Sequence, residues 1–228
     1  MPLFSLLISG LIAVLIVPTA SAQEDVPGDA PEDVPADEPT EAASYTLDPA
    51  QSVLWVRTFK DTALTHDHAI HATGWSGTIL WDPEDATKCQ VSIAVPVSGL
   101  VVDDPGVRQA AGIQADPPDE GDRRTIRDTM MGAEQLDIDG FPAITFTASK
   151  CSGTEGAVSV TGDLTVHGVT KAVTAAMNVS VEGGVFTADG GLDASHSDFG
   201  MTPFTFLLGA FANGEKLQFG VNVVGNPG

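Results

Sequence analysis

The chain has 228 residues, of which 43% are hydrophobic, and a formal net charge of −21 from 31 acidic and 10 basic side chains. This length suits one large β domain or two small ones, and the apolar share is ordinary for a globular fold. The acidic balance argues against nucleic acid and anionic membranes as partners.

The first segment is not part of the fold. Residues 3–17 are almost wholly apolar, too short to span a bilayer comfortably, and lead into Ala20-Ser21-Ala22, a small-x-small cleavage pattern. A signal peptide over residues 1–22 is predicted, and with it a periplasmic or secreted protein. Because Met1 alone supplies positive charge ahead of the apolar run, an uncleaved anchor is the alternative; once cleaved, the chain has no stable membrane insertion. Residues 24–41 carry eight acidic and no basic side chains, with prolines at 27, 31, 35 and 39. Residues 23–43 are therefore an extended acidic tether, and its removal takes the formal charge from −21 to −13. The folded domain spans residues 44–228.

Alternation of apolar and polar residues then repeats along the chain. A first strand includes Tyr45, Leu47, Val53, Trp55 and Phe59. A second stretch runs from His66 to Trp81, with Trp75, Ile79 and Trp81 on one face and a turn at Asp82-Pro83. A third strand directs Cys89, Val91, Ile93, Val95 and Val97 inward. Residues 100–141 break the pattern: Gly, Pro and Asp crowd residues 103–122, and Ile126, Met130, Ala133 and Leu136 follow at helical spacing. This segment is a long insertion with one or two short helices, in which Arg123, Arg124 and Arg127 can pair with Asp116, Asp119 and Asp122.

Strands resume with Ile144, Phe146 and Ala148 up to Cys151. The clearest pair follows: Val158, Val160, Leu164 and Val166 alternate with polar residues, the chain turns at His167-Gly168, and Val173, Ala175, Met177, Val179 and Val181 continue the pattern. A strand over 186–192, an irregular link over 195–203, an apolar stretch over 204–211 and a last strand through Leu217, Phe219, Val221 and Val223 complete the chain. The fold class is all-β, with about eight antiparallel strands in a barrel or sandwich interrupted by a helical insertion. If strands 88–97 and 143–151 are antiparallel neighbours, the two cysteines, Cys89 and Cys151, meet at one edge and form a disulfide in an oxidising compartment.

Five motifs occur in order: Tyr45-x-Leu47-Asp48, Trp75-x-Gly77, Phe141-Pro142-x-Ile144-x-Phe146, a run from Gly162-x-Leu164-Thr165 through His167-Gly168-Val169-Thr170-Lys171, and Asp198-Phe199-Gly200-Met201. Together they resemble the YceI-like family of exported polyisoprenoid-binding proteins, over residues 44–224. The resemblance implies a lipocalin-like antiparallel barrel enclosing a tunnel for a long isoprenoid, of polyprenol or quinone type, and no cofactor. Two features depart from it. Relatives often carry a basic residue beside the aspartate of His196-Ser197-Asp198, and only some have the His66-x-His68-x-x-His71 cluster.

The residues expected to line the tunnel are Trp55, Trp75, Ile79, Trp81, Ile93, Phe146, Leu164, Val166, Val179, Phe199 and Phe219; the same pattern also fits a solid core. As an alternative function, His66 and His68, about 6.6 Å apart along one face of a strand, could chelate a transition metal or haem, with His71 joining through a bend. His167, in its turn, is expected to hydrogen-bond to the backbone. No nucleophile elbow, phosphate-binding glycine loop or H-E-x-x-H helix is present, and the acidic residues are scattered, so a binding protein is expected rather than an enzyme. The oligomeric state is open, a homodimer being one option.

Overall fold

The computed structural model describes residues 41–228; the predicted signal peptide and nearly all of the tether lie outside them. Twelve strands form one sheet: β1 (Ala43–Leu47), β2 (Val53–Lys60), β3 (His68–Ala72), β4 (Ser76–Trp81), β5 (Gln90–Pro96), β6 (Leu100–Val102), β7 (Ala143–Thr154), β8 (Ala157–Val166), β9 (Val169–Glu182), β10 (Val185–Ser195), β11 (Thr205–Phe206) and β12 (Phe211–Pro227). Eight of them close an antiparallel barrel in the order β1-β4-β5-β7-β8-β9-β10-β12 and back to β1. The 17-residue β12 is shared. Its last residues pair with β1, Tyr45 opposite Pro227, while residues 213–222 pair with β2, which carries β3 and β6 beyond it.

Several expectations about the elements are revised. The predicted first strand is two, β1 and β2, separated by a turn in which Asp48 accepts hydrogen bonds from Ala50 N and Gln51 Nε2. The start of the predicted insertion is strand β6, paired to β3 by Ile70 opposite Val102. Three apolar residues in a row suit a short strand at a sheet edge as well as a loop.

The remainder of the insertion holds α1 (Pro105–Ala110) and α2 (Glu120–Met131). Asp104 caps α1 by accepting from Gly106 N and Val107 N, with proline at the first helical position, where its missing N–H costs nothing. Asp119 caps α2, and Glu120 and Asp122 place negative charge at its N-terminus. The helix stops at Gly132, so Ala133 and Leu136, which the spacing assigns to it, lie in the following turns; Leu136 is nonetheless buried in the core. The arginines also pair differently. Arg124 bridges to Glu120 one turn back, and Arg127 donates to the carbonyls of Leu100 at 3.2 Å and Ser98 at 2.9 Å, fastening α2 to β6.

A buried ionic cluster docks the insertion on the sheet. Asp103 is fully buried and Arg108 is 2% exposed. Asp103 Oδ1 accepts from Arg108 Nη1 at 2.7 Å and from Ala69 N at 2.9 Å, while Oδ2 accepts from His68 Nδ1 at 2.7 Å. Arg108 also donates to the carbonyls of Asp67 and Ala115, both at 3.0 Å, so one guanidinium joins the strand, the helix and the loop after it. A small outer core of Ala69, Val107, Ala111 and Ile113 packs beside this cluster.

Candidate functional site: an apolar cavity inside the barrel

Inward-facing side chains leave a cavity of about 190 Å³ along the barrel interior. Its wall has no charged side chain; apart from Thr145 and the glycine Gly220, it is built of aliphatic and aromatic groups, Met177 and the two cysteines. Along β10 the lining runs from Phe186 to Leu192, on the order of 20 Å of strand. Such a space is narrow and apolar, and suits a hydrocarbon chain better than a polar ligand.

Trp55, Ile79, Trp81, Ile93, Phe146, Leu164, Val179 and Phe219 all border this cavity. Trp55 does so with its ring turned away. Leu54 and Val56 pack with the main core, whereas Trp55 packs against the outer cluster, its indole lying across Gly220 of β12. A Cβ on Gly220 would come within 2.0 Å of that ring, so glycine is required there. Strand β2 carries Trp55 on its outer side, where the cluster of Ala69, Val107, Ala111 and Ile113 covers it, and alternation alone cannot choose between the two faces.

Trp75, Val166 and Phe199 are buried but do not line the cavity. They sit where β4 begins, β8 ends and the 3₁₀ turn over His196–Phe199 crosses the strands, in the same core as Met131 and Leu136 of the insertion. At the opposite end Trp81 and Phe186 are in aromatic contact, with centroids 6.2 Å apart, and the Tyr45 ring packs at a tilt on Phe186 at 5.4 Å. Trp81 Nε1 is buried without a hydrogen-bond partner. An unpaired buried donor is costly unless an acceptor reaches it.

Ile70, Met177, Phe186 and Leu192 line the cavity and are absent from the residues expected to line the tunnel. Each lies on an alternating or apolar run, so the available signal was strand membership; which strands face the cavity at mid-height depends on the stagger of the barrel, which a single strand does not encode.

The disulfide expected from topology is present. β5 and β7 are antiparallel neighbours, and Cys89 and Cys151 are bonded with Cα atoms 5.9 Å apart on the cavity wall.

The three histidines of the proposed metal cluster are not brought together. His66 is exposed in the loop before β3, His68 is held by Asp103, and His71 is an odd number of residues along the strand from His68, on its other face. Burial lowers the pKa of His71, with Asp104 opposing. Among the described residues no group of three His, Cys, Asp or Glu side chains is arranged to hold a metal ion.

Three of the sequence motifs meet at the insertion end. His167 (φ 49°) and Gly168 (φ 70°) form the two-residue turn between β8 and β9, both left-handed as a primed hairpin turn requires. Phe141 packs on this turn, its ring 4.8 Å from that of His167. Nearby, Lys171 Nζ bonds Asp198 Oδ1 at 2.8 Å, so the basic partner absent beside the aspartate in sequence is supplied across space. Lys171, then the Ser195 hydroxyl and backbone N–H, pull the Asp198 carboxyl from 3.8 down to about 2. The ionised pair is therefore complete above about pH 4 and lost as pH falls towards 2. The melting temperature of the wild type is expected to fall more steeply over that window than that of Asp198→Asn, the two converging at the acid end; parallel curves would show that the pair carries no pH-linked stability.

The architecture is that of closed antiparallel barrels with an apolar interior. A family match to the YceI-like domain covers residues 45–224, and the chain belongs to that family. No curated protein sequence matches it significantly. Among solved structures it is similar to Burkholderia cenocepacia BcnA, at 20% identity and a TM-score of 0.59 over 78% of this chain and 98% of that one. It is also similar to a polyisoprenoid binding domain from Saccharophagus degradans implicated in plant cell wall breakdown, at 13% identity and a TM-score of 0.56 over 82% of this chain and all of the other. At these identities the two structures establish the shared fold. Among the described residues no helix is long and apolar enough to cross a membrane.

Proposed function

We propose that this protein is an exported, non-enzymatic carrier that holds a long isoprenoid lipid, of polyprenol or quinone type, in the barrel cavity for transport, storage or sequestration. The observation that carries the reading is the cavity wall itself, elongated and free of charged side chains. A chain of isoprene units buried there gains about 25 cal/mol per Å² of apolar surface, so length and shape rather than polar contacts set the affinity. The unpaired Nε1 of Trp81 offers a hydrogen bond to an oxygen at the polar end of the ligand. Family membership and the polyisoprenoid-binding domain among its structural relatives support the ligand class. Export to the periplasm or beyond is supported by the predicted signal peptide and by a disulfide suited to an oxidising compartment.

The direct test is native purification of the mature domain, followed by organic extraction with mass spectrometry and elemental analysis of the same sample. A stoichiometric isoprenoid is the expected result; bound metal with no lipid would overturn it. A second test is Phe146→Asp, which places a carboxylate on the cavity wall. Affinity for a polyprenol is expected to fall by about 100-fold or more, because burying an unpaired charge costs several kcal/mol. Circular dichroism and the melting curve report whether the fold survives, and unchanged binding by a folded variant would move the ligand elsewhere.

A further inference from the structure

We infer that the β11–β12 hairpin, with Leu64 beside it, is a docking tip that inserts shallowly and reversibly into a zwitterionic lipid bilayer. The inference rests on the carrier reading, because an isoprenoid must be collected from a membrane or delivered to one.

The hairpin and Leu64 carry the most exposed large apolar side chains among the described residues. Phe206 is 57% exposed, Leu207 59% and Leu208 fully, and Leu64 is 59% exposed. The two segments are fastened together, with Thr62 Oγ1 donating to Ala210 O at 3.0 Å and Thr65 Oγ1 to Ala212 O at 2.9 Å. The backbone presents these side chains at a conformational cost. Leu207 (φ 49°) and Leu208 (φ 55°) are both left-handed, a conformation leucine rarely adopts, and Gly209 follows at 87°. A turn of Asn and Gly would make the same bend without strain, and strained turns of this kind concentrate at functional sites.

Charge and shape identify the occupant. In a chain of net charge −21, the sixteen residues 199–214 contain no Asp, Glu, Lys or Arg. A patch meant for a basic protein would draw on the acidic surface; the hairpin itself carries no charge, as entry into lipid requires, and the exposed Asp61 and Glu215 flank it rather than share its tip. The acidic remainder opposes anionic headgroups, which points to a zwitterionic surface. The patch is the projecting end of a hairpin rather than a groove, the form that buries side chains in an acyl layer. Lys60 lies at its base, opposite Asn213, where its long side chain can reach phosphates while the tip lies deeper; Lys216, also at the base, is paired with Asp193 at 2.8 Å. The strands that lead into the two loops, β2 and β12, also supply Leu54, Val56, Phe219 and Val221 to the cavity wall, so the tip and the cavity share one side of the barrel.

The test compares the wild type with Leu207→Asn/Leu208→Gly in flotation with phosphatidylcholine vesicles. These substitutions remove the apolar side chains and suit the left-handed backbone, so the melting temperature is expected to hold or rise while vesicle binding falls at least tenfold. Polyprenol loaded from detergent micelles, measured on both proteins, is expected to be unchanged. A wild type that does not float, or a variant that floats equally well, would overturn the docking assignment. Failure of both proteins to load polyprenol, with vesicle binding intact in the wild type, would instead count against the carrier reading and leave the tip standing. A concentration-dependent dimer in sedimentation that the double substitution abolishes, without vesicle binding, would assign the patch to a second copy of the chain and overturn the inference.

Discussion

Replacing Asp103 by alanine is expected to destabilise the domain by about 3–5 kcal/mol, the cost of leaving one partner of a buried ion pair uncompensated. The carboxylate is fully buried and accepts from His68, Ala69 and Arg108, so its removal strands the Arg108 guanidinium, itself 2% exposed, beside an orphaned backbone N–H. Asp103 also has φ 54°, a left-handed conformation that aspartate and asparagine tolerate better than alanine. Burial works to raise its pKa, but the hydrogen bonds from His68, the Ala69 backbone and Arg108 outweigh that and hold it below the usual carboxylate range. Its contribution is therefore complete above about pH 4 and is lost as pH falls from there. Urea denaturation at neutral pH measures the effect. Replacing Asp103 and Arg108 together by apolar residues should recover much of the loss, because the larger part comes from the stranded charge. A loss below about 1 kcal/mol for the single substitution would mean that the cluster does not anchor the insertion.

Removing the disulfide is expected to cost nearly as much. Cys89 and Cys151 are 62 residues apart in sequence, and a closed loop of that length restricts the unfolded chain by about 4 kcal/mol. Cys89→Ala/Cys151→Ala should lower the urea midpoint accordingly, with reduction of the wild type under native conditions giving a matching shift. Both sulfurs lie on the cavity wall, so the variant also enlarges that space and should bind an apolar probe with altered affinity. A midpoint within experimental error of the wild type would show that the loop is already constrained by its strands.

The barrel was legible from alternation because its strands have one dry and one wet face. Val158, Val160, Leu164 and Val166 are all buried, and the turn at His167-Gly168 falls where the pattern breaks. The disulfide followed from antiparallel pairing of two predicted strands. Three features were not legible. Trp55 faces outward because residues of the insertion, with Ala69 of β3, form a small core over it, a tertiary fact that no local period carries. The histidines look like a cluster in the one-letter string, but strand alternation and the Asp103 carboxylate separate them. The buried Asp103–Arg108 pair sits in a stretch whose Gly, Pro and Asp content reads as exposed loop, and nothing in that composition distinguishes the one buried carboxylate from its solvated neighbours. Among the predicted cavity residues, Trp75, Val166 and Phe199 were placed inside the protein by their apolarity, yet they lie beyond the cavity because strand ends and strand middles share the same alternation.

The shared strand β12 has a consequence for how the molecule comes into being. The ring closes only when residues 225–227 pair with residues 45–47, nearly the whole domain apart in sequence. During vectorial synthesis the first stave, β1, must therefore wait, docked on β4 alone, until the last segment of the domain has emerged. Until then the nascent sheet presents an unpaired edge and an open apolar interior to its surroundings. Contacts this distant in sequence make folding slow, and the period before closure is when the chain most needs protection from aggregation.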